Sequence, residues 1–279
     1  MIVSDNEINL FQDTILKYSP YDFTGYSIKS LRRRLTKIMR EHNMNMEGVV
    51  KELRTNAVFL EEIVKNIMVN TTELFRDPEV WKHLRDDVLP RFKNKDIINI
   101  WHPGCSTGQE VYTLMILLDD SGLFDKSNIF ASDLNSDALH VAREGRFKYG
   151  FNKNYLDNFD KSMNFSSGNN FRIRNIAWTK YFSIDETRDI IQMKEFLLKK
   201  PVYKKMDLVK DPNLFFVNFD LIICRNVIIY FNDQLQNRVF DLFYNNMIHK
   251  GCLLLGLHES IMGPNADRFI KNNHFYFKA

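Results

Sequence analysis

The chain has 279 residues, with 38 Lys and Arg against 35 Asp and Glu, a net charge of +3, and 44% hydrophobic residues. That length holds one large domain or two smaller ones, and the balance of apolar and charged residues excludes a disordered chain. So small a net charge predicts no polyanion partner for the chain as a whole; any electrostatic message is local.

The opening residues, Met1 to Glu7, lack the basic segment and long apolar run of a secretory leader. From about Asn6 to Asn70 the pattern is helical with short breaks. Leu31, Leu35 and Ile38 recur at i, i+4 and i+7 and mark one apolar face, with Ser27 or Ser30 as alternative caps. Between Ser27 and His42 stand Lys29, Arg32, Arg33, Arg34, Lys37 and Arg40 against a single anion, Glu41. Arg33, Lys37 and Arg40 share a face beside the apolar stripe, which reads either as a solvated surface or as a docking face for an acidic partner. No aromatic interleaving supports nucleic acid there. Phe59, Leu60, Ile63, Val64 and Ile67 form a second stripe, and Pro78 predicts the first turn of a helix reaching about Phe92.

The texture then changes. Ile97–Trp101 reads as a strand, Gly108–Asp119 as a helix, Ile129–Ser132 as a strand and Ser136–Arg143 as a helix. The alternation resumes with Phe219–Cys224 (strand), Asp233–Met247 (helix), Cys252–Leu257 and Phe275–Lys278 (strands). This is the signature of a doubly wound, mostly parallel sheet. Between Gly145 and Asp207 the residues are turn-rich, with Asn152, Asn154, Asn158 and the run Ser166 to Asn170, and Phe171-Arg-Ile-Arg174 alternates. A small antiparallel sheet inserted in the main domain is expected there. Val111–Leu118 is too short to span a bilayer. Cys105, Cys224 and Cys252 are odd in number and predict free thiols in a reducing cytoplasm, and no Cys/His spacing suggests a metal site.

The turn Gly104-Cys-Ser-Thr-Gly108, between strand and helix, lets a ligand approach backbone N–H groups. The GxGxxG pattern of nicotinamide enzymes is absent, so the motif alone is equally a plain tight turn. Asp133, at the tip of the next strand, is placed to accept hydrogen bonds from a ribose diol. Capping of the following helix is its other reading, although Asn135 can do that instead. Glu110 sits in the first turn of its helix, where the dipole favours an anion.

Three segments, Asn70-Thr-Thr-Glu-Leu-Phe-Arg-Asp77, Trp101-His-Pro-Gly-Cys-Ser-Thr-Gly-Gln-Glu110 and Phe219-Asp-Leu-Ile-Ile-Cys-Arg-Asn-Val-Ile-Ile-Tyr-Phe231, together resemble the chemotaxis receptor methyltransferases, the CheR-type family. The likeness runs on to Gly256-Leu-His-Glu-Ser260, and its order and spacing are more specific than any one motif. Leu74 stands where the family often has Phe, and the Gly256 segment has one residue more than the usual Gly-His-Ser-Glu; both departures bear on packing near the C-terminal strand. The resemblance implies an α/β, Rossmann-like doubly wound methyltransferase sheet at 71–279, with a small antiparallel β-subdomain inserted at about 146–206. A small all-α domain at 1–70 precedes it and docks the receptor. The implied cofactor is S-adenosyl-L-methionine, leaving as S-adenosyl-L-homocysteine.

By the same resemblance, Asn70, Thr72 and Arg76 form one half of the cofactor site, on a loop-to-helix segment folding over the pocket. Gly104, Glu110 and Asp133 belong to the other half, with Asp207-Leu208 at the adenine and Arg225-Asn226 as a further contact. The implied reaction is methyl transfer to glutamate side chains of chemoreceptors, in the cytoplasm and by a monomer, without nucleic acid and without membrane insertion. The basic face of Arg33, Lys37 and Arg40 would meet the acidic receptor helices. A glutamate is already ionised at neutral pH, since its usual pKa is about 4.3, so no strong general base is required. The absence of a His/Asp couple at motif spacing agrees. Arg76, a planar fixed cation, suits the methionyl or the acceptor carboxylate. Tyr230 is the candidate wall or hydrogen-bonding group beside the methyl, or else a core aromatic. Arg91 reads as a solvated cation before a steering one. Neither an Asn/Asp-Pro-Pro-Tyr run nor a Pro-Cys pair is present, which sets aside amino and cytosine-ring acceptors, and Cys105 and Cys224 read as packing residues. The alternatives are a methyltransferase of RNA or a small acid, and a cofactor-binding regulatory module of receptor arrays.

Overall fold

A computed structural model describes residues 3–68, 71–150, 154–165 and 174–279. Four helices open the chain: α1 (Asp5–Tyr18), α2 (Ile28–Glu41), α3 (Met46–Thr55) and α4 (Ala57–Ile67). Each start has a local cause. Ser4 and Glu7 form a reciprocal capping box on α1, and the Asn45 and Asn56 side chains accept from Gly48 N and Phe59 N to cap α3 and α4. Ser27 is the N-cap residue of α2 but makes no side-chain cap; its N–H donates instead to the carbonyl of Tyr230 at 2.8 Å. The expected stripes close on one another, with Leu31, Leu35, Ile38, Ile63 and Val64 buried in one core with Ile8, Phe11 and Ile15.

The helix expected from Pro78 to Phe92 is α5 (Pro78–His83) followed by a π turn, Leu84–Val88, and a 3-10 turn, Leu89–Phe92. Pro90 has no N–H to offer the ladder, which breaks its α-helical register there.

Then follow β1 (Ile98–Pro103), α6 (Gln109–Asp120), β2 (Ser127–Asp133), α7 (Ser136–Glu144), β3 (Arg146–Lys148), α8 (Tyr155–Met163), β4 (Phe182–Asp185), β5 (Ile190–Met193), α9 (Glu195–Leu198) and β6 (Pro201–Lys205). The chain ends with β7 (Phe219–Cys224), α10 (Asp233–Asn246), β8 (Met247–Leu255), β9 (Phe269–Asn272) and β10 (Phe275–Lys278). Seven strands form one sheet in the order β6-β2-β1-β7-β8-β10-β9. The first five are mutually parallel, with Ile100 facing Ile129 on one side and Leu221 on the other, and β10 and β9 add an antiparallel edge. Trp101, Phe219 and Phe243 pack one face of the sheet, while Ile100, Leu114 and Leu221 belong to the core on the other. This is the doubly wound α/β architecture expected of the sequence.

A separate antiparallel sheet, β3-β5-β4, supplies the inserted element. It ends earlier than about 206, because Pro201–Lys205 is the edge strand of the main sheet, paired in parallel with β2. Two lysines and a leading proline mask that strand in the sequence, and only an edge position tolerates them. The expected turn-rich run 166–170 and all but Arg174 of the expected 171–174 alternation lie outside the described residues. Strand β8 also starts sooner than Cys252, at Met247, the residue where the helix was expected to end. Its first half carries exposed His249 and Lys250, with Lys250 at φ 62° and a register irregularity opposite Phe219–Leu221, so it has no apolar alternation to read. No helix among the described residues is long and apolar enough to cross a membrane.

Candidate active site

The strand order reverses at β1, with β2 and β6 on one side and β7 and β8 on the other. Ligands of open α/β sheets bind at such a switch point, outside the carboxyl ends of the strands. Here the ends of β1, β2, β6 and β7 open on one cleft of about 890 Å³.

The turn after β1 runs through the left-handed region at Gly104 (φ 68°), Ser106 (φ 52°) and Gly108 (φ 90°). At Gly104 an added Cβ would stand 2.5 Å from Val227 Cγ2, so the turn after β1 and the one after β7 touch through a glycine. Asp133 fixes this turn from the neighbouring strand. Its carboxylate accepts from Ser106 N at 2.7 Å and from Asn135 N at 2.8 Å. The cap of α7 is Asn135, which accepts from Asp137 N and Ala138 N. Asp133 is therefore free of capping and stays at the cleft.

Burial raises the Asp133 carboxyl above its ordinary range, and its backbone donors oppose this. Asp207 is raised for the same first reason, while its Oδ1 accepts from Val209 N at 2.8 Å. Glu110 is raised by burial too, against the pull of Arg225 and Arg76. Buried carboxylates facing one cleft suit a ligand that brings hydroxyl donors and a positive charge.

Arg225 works beneath the cleft surface. Its side chain is fully buried, pairs with Glu110 through Nη1 and meets Asp77 Oδ2 at 2.6 Å through Nη2, with its guanidinium 5.3 Å from the Trp81 ring centre. Nη1 also reaches the carbonyl of Arg76 at 3.4 Å, and that carbonyl accepts from Trp81 Nε1 at 2.8 Å. A guanidinium so engaged braces the 71–77 segment and orients Glu110.

The segment itself is not helical before Pro78, and Phe75 and Asp77 both stand at positive φ. Thr72 and Arg76 line the cleft, and the Arg76 guanidinium donates to no described residue. Asn70 lies outside the described residues. Leu74 is fully buried in the main core.

Glu259 belongs to the Gly256–Ser260 segment but carried no site role in the sequence reading. Its carboxylate accepts from the backbone N–H groups of Asn226 (2.8 Å), Val227 (2.9 Å), Ile228 (2.8 Å), Ile229 (3.3 Å) and Gly256 (2.7 Å). Asn226 is left-handed at φ 59°, and Glu259 holds that turn so that Asn226 and Tyr230 reach the cleft. Glu259 stands three residues past Gly256, the spacing of Gly-His-Ser-Glu, so the expected extra residue does not displace this carboxylate. A Glu three residues past a glycine at a strand end was the available signal.

Thr72, Arg76, Gly104, Glu110, Asp133, Asp207, Leu208, Arg225, Asn226 and Tyr230 thus converge on one cleft. Cys105 lines it and Cys224 lies behind; burial raises both thiols, which fits packing residues. Arg91 stacks over Phe277 at 4.2 Å and does not line the cleft. Arg33, Lys37 and Arg40 are exposed on α2, whereas Arg32 turns back to pair with Asp5.

Residues 70–276 match the family described as CheR methyltransferase, SAM binding domain. The chain is similar to Cher3 of Pseudomonas putida, 32% identical over 270 residues that span 95% of this chain and 93% of that one. It is also similar to a chemotaxis protein methyltransferase of Listeria innocua, 27% identical over 263 residues and 92% of each chain. Among solved structures, the amino pentose methyltransferase CalS10 of Micromonospora echinaspora, with S-adenosylmethionine bound, is 15% identical, covering 68% of this chain and 54% of that one with a TM-score of 0.35.

Proposed function

The chain belongs to the CheR methyltransferase family and is an S-adenosylmethionine-dependent methyltransferase of chemotaxis, and we propose that its acceptors are glutamate side chains on the cytoplasmic helices of chemoreceptors. When bound, S-adenosylmethionine supplies a methyl group on a positively charged sulfur. Asp133 is assigned to the ribose hydroxyls, Asp207 and Leu208 to the adenine, and Glu110, with Thr72, Asn226 and the Gly104 turn, to the amino-acid half. Arg225 and Glu259 hold these groups in place.

The observation that carries the acceptor assignment is Arg76. Its guanidinium lies at the cleft within electrostatic reach of Glu110 but with no side-chain hydrogen bond or ion pair among the described residues, while no histidine among them lines the cleft. A site with a spare fixed cation and no histidine base suits an acceptor that arrives already ionised. Arg76 aligns a carboxylate, and Tyr230, half-buried at the cleft, forms the wall beside the transferred methyl. Rate then comes from in-line positioning and partial loss of water around the nucleophile. The division near residue 70 gives the leader the docking role, with the exposed Arg33, Lys37 and Arg40 facing acidic receptor helices in the cytoplasm.

The test incubates the protein with tritiated cofactor and receptor cytoplasmic fragments. Label released by base as methanol is expected, since a glutamate methyl ester hydrolyses that way. Base-stable label means another acceptor, and cofactor binding without transfer means a regulatory module.

A further inference from the structure

We propose that Tyr26, carried by the helical leader, is a cofactor-binding residue whose hydroxyl and ring close the adenosine half of the cleft. This rests on reading the cleft as the S-adenosylmethionine site. Tyr26 lies in the short connection before α2, yet it lines the cleft formed at the ends of β1, β2, β6 and β7. Its ring packs edge-on against Phe23 at 4.8 Å and Phe231 at 5.3 Å, which fixes its plane. Its hydroxyl makes no hydrogen bond with any described residue. The group is left open at the cleft, where a ligand atom can accept from it.

The charges felt by the phenol are those of Asp207 and Asp133, the carboxylates assigned to adenine and ribose, with Asp22 beyond. Burial is the larger cause raising the phenol, with these carboxylates adding to it, and the group is a neutral hydrogen-bond donor at neutral pH. A neutral donor on an aromatic wall, beside carboxylates that take the ribose hydroxyls, is complementary to a nucleoside and not to the amino-acid half of the cofactor.

The leader is held there by backbone. Tyr26 and Phe231 form an antiparallel bridge, with Ser27 N donating to Tyr230 O at 2.8 Å and Asn232 N to Gly25 O at 2.8 Å. Gly25 permits this approach, because a Cβ there would lie 2.9 Å from Leu235 Cδ2. The residue next to the transferred methyl and the residue proposed at the nucleoside are thereby tied to one short ladder.

Titration calorimetry on the full chain separates the possibilities, using S-adenosylhomocysteine and 5′-methylthioadenosine, which keeps the nucleoside but lacks the amino-acid part. Tyr26→Phe is expected to weaken both ligands by the same factor, about threefold to tenfold for one lost hydrogen bond, with unchanged thermal unfolding. Tyr26→Ala is expected to weaken both further, and Thr72→Ala, at the amino-acid half, to weaken only S-adenosylhomocysteine. Wild-type affinity of Tyr26→Phe for both ligands, while Asp133→Ala weakens both, overturns the role of Tyr26 and leaves the cleft in place. If Asp133→Ala also binds both as the wild type does, the reading of the cleft itself fails, and the proposal with it.

Discussion

The Asp77 carboxylate and the Arg225 guanidinium meet at 2.6 Å although 148 positions separate them in the chain. Asp77 stands at φ 57° directly before Pro78, a left-handed conformation that costs about 1–3 kcal/mol and has to be held from outside. Arg225, wholly buried and also paired with Glu110, is what holds it. The ion pair thus joins the segment that carries Thr72 and Arg76 to the end of β7.

Replacing Arg225 with Met is therefore expected to leave Glu110 and Asp77 without their counter-charge and to destabilise the fold by about 3–5 kcal/mol. Urea unfolding measures it. Adding Asp77→Asn and Glu110→Gln is expected to recover much of the loss, because buried charge without a partner is the cause. A loss below about 1 kcal/mol, within the range of surface pairs, means Arg225 is not acting as a buried strut.

Glu259→Gln keeps the size of the side chain but puts an NH₂ where an acceptor oxygen met backbone N–H groups. Leaving such donors unpaired costs about 1–3 kcal/mol each. The expectation is a stability loss of at least about 2 kcal/mol, with kcat falling as Tyr230 and Asn226 lose their frame. Wild-type kinetics together with a wild-type urea midpoint would show that the turn holds itself.

His102 gives the pH dependence. It is buried in β1 with Nε2 unpaired among the described residues, and burial, aided by Arg225, lowers its pKa to about 3. A histidine depressed in the folded state contributes stability that is fully present above its unfolded pKa and is lost as pH falls below it. With an unfolded pKa of about 6.5, this one group removes about 2 kcal/mol between pH 7 and pH 5. His102→Gln is expected to flatten that part of the stability profile relative to the parent. Parallel profiles for the two proteins would show that His102 does not carry the acid sensitivity.

Arg33, Lys37 and Arg40 present exposed charge on α2, and among the described residues only Lys37 is in an ion pair, at 3.5 Å from Glu41. Reversing all three to Glu is expected to raise the KM for receptor fragments at least about tenfold while cofactor affinity stays unchanged. The parent should also lose receptor affinity as salt shortens the screening length toward about 8 Å. Methylation of receptor by the triple variant with parental kinetics at low salt would reduce this face to a soluble surface.

Much of the fold was legible because short-range rules fix it. Leu31, Leu35 and Ile38 announced a helix face by spacing, and Ile97–Trp101 and Phe219–Cys224 announced strands by their apolar runs. Edge strand β6 and the first half of β8 were not legible, since strands with one neighbour or a bulge need no apolar alternation. Gly104, Glu110 and Asp133 were marked by position relative to strand ends, a local property. Tyr26 carried no local mark and Glu259 only its place three residues past Gly256, because what each does depends on a turn or a carboxylate remote in sequence.

The sequence by itself determined which elements form, where the main sheet turns toward its ligand, and which motifs stand at those turns, because periodicity, capping and glycine placement act over a few residues. Only the tertiary structure decided how those residues are used. Arg225, expected at the cofactor, is spent on Glu110 and Asp77; Glu259 gathers the backbone of the turn after β7; and the leader reaches over to set Tyr26 in the cleft. Such assignments follow from which charged and polar groups are buried together, and burial is a property of the packed chain that no local spacing records.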